Sequence, residues 1–301
     1  MKGEFKMNDK FVIFADSTSD LVKDLRDKYD IDYVKMNYVI DDKEYPASLD
    51  WESHSMKDFY DFMRNGTIIK TTQVARGEYE KRFTEVLEAG RDILYIACSS
   101  ALSGSINLAN VIAGELMEKY PERKIICIDS LISSLGQGYL CIKAAMLREE
   151  GKSIEEVRDF INANKLKENQ FGTVATLEFL KKAGRVTASS AFFGNLLGIK
   201  PILISDIKGQ NLAVKKVKGA QNARREMAKD MASVVINPEE QTLYISHADS
   251  IKDAEALRDE IMALCPFKDC YINGIAPIVG ASVGPGTVIA YCFGKEVTEV
   301  G

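Results

Sequence analysis

Three short apolar runs in the first half of the chain each end in hydroxyl or carboxylate side chains just before a helical segment, and few folds accommodate that pattern. Phe11–Ala15 runs into Asp16-Ser17-Thr18-Ser19-Asp20 and then into helical spacing over Leu21–Tyr29. Ile93–Cys98 runs into Ser99-Ser100-Ala101-Leu102-Ser103-Gly104 and a helix to Tyr120, and Lys124–Asp129 precedes a helix over Leu135–Glu149. Between them, Asp30–Ile40 reads as extended with Asp41-Asp42 as a turn, and Met56–Arg64 and Glu78–Ala89 read as helices, the second closed by Gly90. Buried apolar strands alternating with helices predict a parallel sheet covered on both faces. Such open sheets bind ligands beyond the carboxyl ends of their strands, where these polar clusters would gather.

The second half has another texture. Ile199–Ser205 and Leu212–Val217 flank Asp206-Ile207-Lys208-Gly209-Gln210, a hairpin signal. A helix over Ala220–Val235, a strand over Thr242–His247, a helix over Ile251–Leu264 and two extended segments around Gly284-Pro285-Gly286 follow. The expected class is α/β, with a parallel-sheet domain over residues 10–170 and an α+β domain over 171–301. No repeat or low-complexity tract interrupts either.

Composition narrows the function. A net charge of −5 and the lack of a dense Lys/Arg block argue against nucleic acid. No apolar run of the roughly 18 residues that a span needs is present, so no stable membrane insertion is expected. Met1–Lys10 is polar and reads as a frayed leader, not a signal peptide. Cys98, Cys127, Cys141, Cys265, Cys270 and Cys292 are scattered, four of them in apolar runs; buried free thiols and a reducing cytoplasm are expected. Neither G-x-G-x-x-G nor a lysine-bearing P-loop occurs, and two histidines make no metal constellation, so no cofactor is expected.

Several residue groups carry candidate chemistry. The serine loop after Ile93–Cys98 offers hydroxyls and the positive end of a helix, which suits an anion; from position alone Ser103 or Ser105 also reads as a helix cap, the commoner role. Thr71-Thr72-Gln73 has the same two readings. His247, at a strand end, reads either as site-lining or as structural. Gly280-Ala281-Ser282-Val283-Gly284 matches a nucleophile elbow, but a strand-like run follows where a helix is needed, and both histidines precede Ser282. The elbow is rejected. Ala191–Gly198 reads as core or as the wall of a long apolar cavity, and Lys181-Lys182-Ala183-Gly184-Arg185 as a solvated helix end.

Taken in order, these segments resemble the DegV family of fatty-acid-binding proteins. The likeness rests on Asp16–Leu21, Thr71–Gln73, Ser99–Gly104, Asp129-Ser130 with Gly136–Gly138, Leu180–Val186, Gly198–Leu203 and Gly284–Gly286, and it spans roughly Phe11 to Gly294. It implies a two-domain α/β protein with a buried acyl tunnel, a carboxylate held by Thr71 and Ser103, and a separate kinase subunit that converts the bound acid to acyl phosphate. Thr72, Gly104, His247 and Ser282 complete the expected ligand-binding set. Thr71-Thr72-Gln73-Val74-Ala75 departs from the family's Thr-Ser-Gln-Pro-Ser, and Ser282 stands where the family often has histidine. The expected function is carriage of one long-chain fatty acid without chemistry on it; the rival is an enzyme acting on a small anion in the same cleft.

Overall fold

The computed structural model describes residues 11–188, Phe192 and 198–301. Met1–Lys10, read from the sequence as a frayed leader, lies outside them, as does the apolar stretch Ala191–Gly198 apart from Phe192 and Gly198. The first sheet contains β1 (Phe11–Asp16), β2 (Ile31–Val34), β6 (Asp92–Ala97) and β7 (Ile125–Asp129), in the order β2-β1-β6-β7 and parallel throughout. β1 is buried along its whole length, as a strand covered on both faces must be. The strand order reverses between β1 and β6, so the loops leaving these two strands flank the switch point of the sheet.

A small antiparallel sheet follows β2. It pairs β3 (Asn37–Ile40) with β4 (Lys43–Pro46) and with the two-residue β5 (Lys70–Thr71). Asp41 and Asp42 turn the β3–β4 hairpin with φ of 48° and 61°, the left-handed pair that a tight hairpin turn needs. The second sheet is mixed, in the order β10-β9-β8-β13-β11-β12. Its strands are β8 (Glu168–Thr173), β9 (Ile199–Ser205), β10 (Asn211–Lys218), β11 (Thr242–His247), β12 (Asp269–Gly274) and β13 (Val288–Phe293).

The helices set the layering. α3 (Arg76–Glu88) and α4 (Ser105–Lys119) pack together against β6 and β7. α5 (Ser134–Glu149) touches β1 and β6 of the first sheet and β8, β11 and β13 of the second. Its first nine residues, Ser134 to Ile142, are all buried, which is the mark of a helix enclosed on every side. α1 (Lys23–Tyr29) and α6 (Ile154–Asn164) pack on α5, and α8 (Ala220–Val234) and α9 (Ile251–Met262) cover the far face of the second sheet. One apolar core therefore runs from Phe14, Tyr95 and Ile128 through to Val279, Ile289 and Tyr291, and a second lies under α8 and α9.

Two elements depart from the sequence reading. Ile154–Asn164 forms a helix that the periodicity reading passed over, although Ser153 and Glu156 close it with a reciprocal capping box. The segment before Gly284, read as extended, is the short helix α10 (Pro277–Val283), with Pro277 in its first turn. α10 packs against α2 (Met56–Arg64), α7 (Glu178–Ala183), β3 and β5. These partners, distant in sequence, hold a stretch of weak helix formers in helical form.

Candidate ligand-binding site

A cavity of about 220 Å³ opens at the carboxyl edge of the first sheet. Thr71, Thr72, Ser103, Gly104 and Ser282 all line it. His247 does not. Its Nδ1 accepts the Ser250 N–H at 3.1 Å and its carbonyl accepts the Ile275 N–H, while burial pushes the imidazole below its ordinary pKa. Within the described residues it is a buried histidine that ties β11 to the segments after it, one of the two readings the sequence left open.

The loop after β1 is built around Asp16. Its carboxylate accepts the Thr18 N–H at 3.0 Å, the Tyr95 hydroxyl at 2.9 Å and the Cys98 N–H at 3.0 Å. The Thr18 hydroxyl lies 2.5 Å from Asp16 Oδ1 and 2.6 Å from Gln137 Oε1. Four donors converge on one buried acid, and that fixes the ends of β1 and β6 against each other. Thr18 and Cys98 line the cavity. Burial raises the Cys98 thiol far above its ordinary pKa, with Asp16 adding to the shift, so it stays protonated.

The loops carrying Ser103 and Thr71 are joined by hydroxyl contacts. Ser103 Oγ is 3.0 Å from Ser105 Oγ and accepts the Ser105 N–H at 3.3 Å, and Ser105 Oγ accepts the Val74 N–H at 3.2 Å. Neither serine is the cap of α4. Gly104 holds that position without a side-chain cap, which leaves the positive helix end facing the cavity wall. A Cβ on Gly104 would stand 2.5 Å from Gln73 Oε1. The Gln73 side chain of the threonine loop thus lies directly over the backbone of the serine loop, and a larger residue at 104 would displace its exposed amide.

β5 pairing places Thr71 opposite Tyr38, and the Thr72 N–H donates to the Asn37 carbonyl at 2.9 Å. Among the described residues, the hydroxyls of Thr71 and Ser282 have no hydrogen-bond partner, so both are free to meet a ligand. Ser282 lies one residue before the end of α10. Gly284 follows at φ 76° and ψ 166°, with its Cα against the Phe179 ring; a Cβ there would meet the ring at 2.2 Å. No helix follows Ser282 and β13 comes next, so it is not on a nucleophile elbow.

The far wall is apolar where α10 and β13 supply Ile278, Val279, Val283 and Ile289. Gln170 and Asn211 also line it, with Gln170 Nε2 donating to Asn211 Oδ1 at 3.2 Å. The sequence reading missed Arg185, which it placed in a solvated helix end. The chain leaves α7 through Gly184 in the left-handed region, and Arg185 then turns back to the cavity. Its Nε donates to the Leu102 carbonyl at 3.0 Å and a terminal nitrogen donates to the Ala183 carbonyl. Nothing in local sequence separates this arginine from its solvated neighbours, because its reach depends on where α7 docks.

The comparisons with known proteins agree with this architecture. The family model described as an uncharacterised protein of the DegV family matches residues 10–295. The chain belongs to the DegV family. A DegV domain-containing protein of Clostridium perfringens is 37% identical over 285 residues, which is 95% of this chain and 98% of the relative. Among solved structures, a DegV family protein from Thermus thermophilus described by its fatty-acid binding superposes with a TM-score of 0.85 at 27% identity, covering 95% of this chain and all of that one. A DegV lipid-binding protein from Thermotoga maritima gives 0.83 at 26% identity, covering 96% and 100%. No helix among the described residues is long and apolar enough to cross a membrane.

Proposed function

We propose that this DegV protein carries one long-chain fatty acid and presents its carboxyl head to a separate fatty acid kinase that forms the acyl phosphate. The observation that carries this reading is the meeting of Thr71, Ser103 and the α4 N-terminus on one cavity whose opposite wall is apolar. The likeness to the Thermus and Thermotoga proteins, each described as binding a fatty acid or lipid, supports it. In this reading the unit over residues 10–170 carries the head-group loops, and the unit over 171–301 covers the acyl chain and contributes Ser282.

The physical logic is a division of labour along the ligand. Each buried methylene contributes roughly 0.8 kcal/mol, so the tail accounts for most of the affinity. The head needs donors to offset its lost hydration. Thr71, Ser103 and helix amides are neutral donors, and they hold a carboxylate more loosely than a bidentate arginine would. That moderation suits a carrier whose ligand must remain open to a second protein. With Ser282 in place of an imidazole, the outer side of the head keeps a hydroxyl and has no titrating group.

The test is direct. Protein purified from cells should contain stoichiometric fatty acid on mass spectrometry after gentle extraction, and an empty protein that also refuses oleate and palmitate would end the carrier reading. Thr71→Val with Ser103→Ala should weaken palmitate binding about 100-fold while weakening the matching alcohol far less. Equal losses would refute the carboxylate assignment. Turnover of a small anion by the protein alone would favour the enzyme reading instead.

A further inference from the structure

The cavity that Thr71 and Ser103 line also has a polar side that a carboxylate held by those two hydroxyls leaves unused. Ser133, Gln170 and Asn211 make it. Strand alternation puts a carboxamide there. Phe171 turns to the core under α8 and α9, so Gln170 and Gly172 turn to the opposite face of β8, which Ile289 and Leu203, the cross-strand partners of Gly172, share. Gln170 is 5% exposed and Ser133 8%, so both are buried polar groups that need partners.

The fold supplies only some of those partners. Gln170 Nε2 donates to Asn211 Oδ1 at 3.2 Å, and Asn211 Nδ2 donates to the Arg185 carbonyl at 3.0 Å. A carboxamide has two N–H donors and an acceptor oxygen. One Gln170 N–H and the whole of Gln170 Oε1 are therefore without a partner among the described residues. Ser133 stands at the start of α5 and makes no side-chain cap, and its hydroxyl is likewise unused among the described residues. The same cavity carries Ile278, Val279 and Val283 of α10, so an acyl chain inside it meets both apolar carbon and open hydrogen-bonding groups.

A plain methylene chain against Gln170 would strip the free N–H and carbonyl of water and give nothing back. A chain hydroxyl offers one donor and two acceptor lone pairs, and so meets both. We propose that the cavity selects a hydroxylated long-chain fatty acid, whose chain hydroxyl is bonded by Gln170 and Ser133 near the carboxyl end. The position on the chain follows from the lining: Gln170 and Ser133 share one cavity of about 220 Å³ with Thr71 and Ser103. The inference rests on the carrier reading and names the ligand class within it. A site that holds a hydroxyl by buried polar groups disfavours the analogue without it, because those groups are then left unpaired.

Calorimetric titration of lipid-stripped protein tests it, with palmitate, each enantiomer of 2-hydroxypalmitate and 3-hydroxypalmitate, and 16-hydroxypalmitate as the far-end control. At least one of the 2- or 3-hydroxy acids should bind about tenfold more tightly than palmitate, and 16-hydroxypalmitate no more tightly than palmitate. Gln170→Met keeps the length of the side chain and removes its polar end. It should tighten palmitate about threefold and weaken the preferred hydroxy acid about tenfold, which reverses their order. Ser133→Ala should lower the preference about threefold, and it serves as the second variant if circular dichroism shows that Gln170→Met does not fold. Palmitate bound at least as tightly as every hydroxy acid, a preference for 16-hydroxypalmitate alone, or a preference that survives the substitutions would overturn the hydroxyl site and leave the carrier reading intact. A wild type that binds none of these acids brings down both.

Discussion

The two walls of the cavity that Thr71, Ser103 and Ser282 line are held in different ways. On the first-sheet side, Asp16 gathers Thr18, Tyr95 and Cys98, and Ser105 bridges Ser103 to Val74, so every loop is pinned by short bonds within one layer. On the opposite side, α10 is a short helix held by a few long-range ties. Asp20 Oδ1 accepts the Ala276 N–H at 2.9 Å, Asp20 Oδ2 accepts the Ser134 hydroxyl, and the Tyr60 hydroxyl donates to the Ile275 carbonyl at 2.7 Å. The contrast teaches that the hydroxyls of the first wall are fixed by the sheet and its loops, whereas the wall carrying Ser282 is fixed by tertiary contacts and by one titratable acid.

The largest expected effect attacks the first wall. Asp16→Ala leaves a buried tyrosine hydroxyl and two buried amide donors without their acceptor, and should cost about 3–5 kcal/mol in urea unfolding. A cost under about 1 kcal/mol would mean that the network is dispensable and the two walls are alike. On the other wall, Gly284→Ala forces a methyl group toward the Phe179 ring in a backbone region that only glycine favours. It should cost about 3 kcal/mol and weaken fatty-acid binding through Ser282. Unchanged binding would separate α10 from the head group.

The smallest effect is the most specific. Burial pushes the Asp20 carboxyl up to about 7, against the donors Ser134 and Ala276 that favour its ionised form. Because the folded pKa exceeds the unfolded one, this group's contribution is fully present below pH 4 and is lost as pH rises through about 7. Asp20→Asn keeps an acceptor for Ala276, tolerates φ 52° and removes the titration. The variant should therefore gain roughly 1–2 kcal/mol at pH 8 relative to its effect at pH 4, read from paired denaturation curves. The same slope in variant and wild type would exclude Asp20 as the acid that ties α10.

The legible parts of the fold share a physical basis. Met56–Arg64 and Thr242–His247 have the bounds that periodicity alone suggests. The meeting of Thr71 with Ser103 was expected from parallel strand ends, but only Ser103 follows such a strand; Thr71 ends β5 of the small antiparallel sheet, which pairing with β3 brings to the same cavity. α10 was not readable, because Gly280, Ser282 and Gly284 argue against a helix and only the packing of Tyr60 and Phe179 outweighs them. His247 carried the right local signature but does not line the cavity, because its ring accepts the Ser250 N–H and its carbonyl the Ile275 N–H.

The sequence by itself determined the parallel sheet, its polar carboxyl edge and the hydroxyls along it, because strand periodicity and loop chemistry are local properties of the chain. The tertiary structure alone decided that Arg185 turns back from a helix end to the cavity and that Lys70 and Lys182 share one concavity beside it. Lys70 stands more than a hundred positions from Lys182 and Arg185, and no local pattern encodes their meeting.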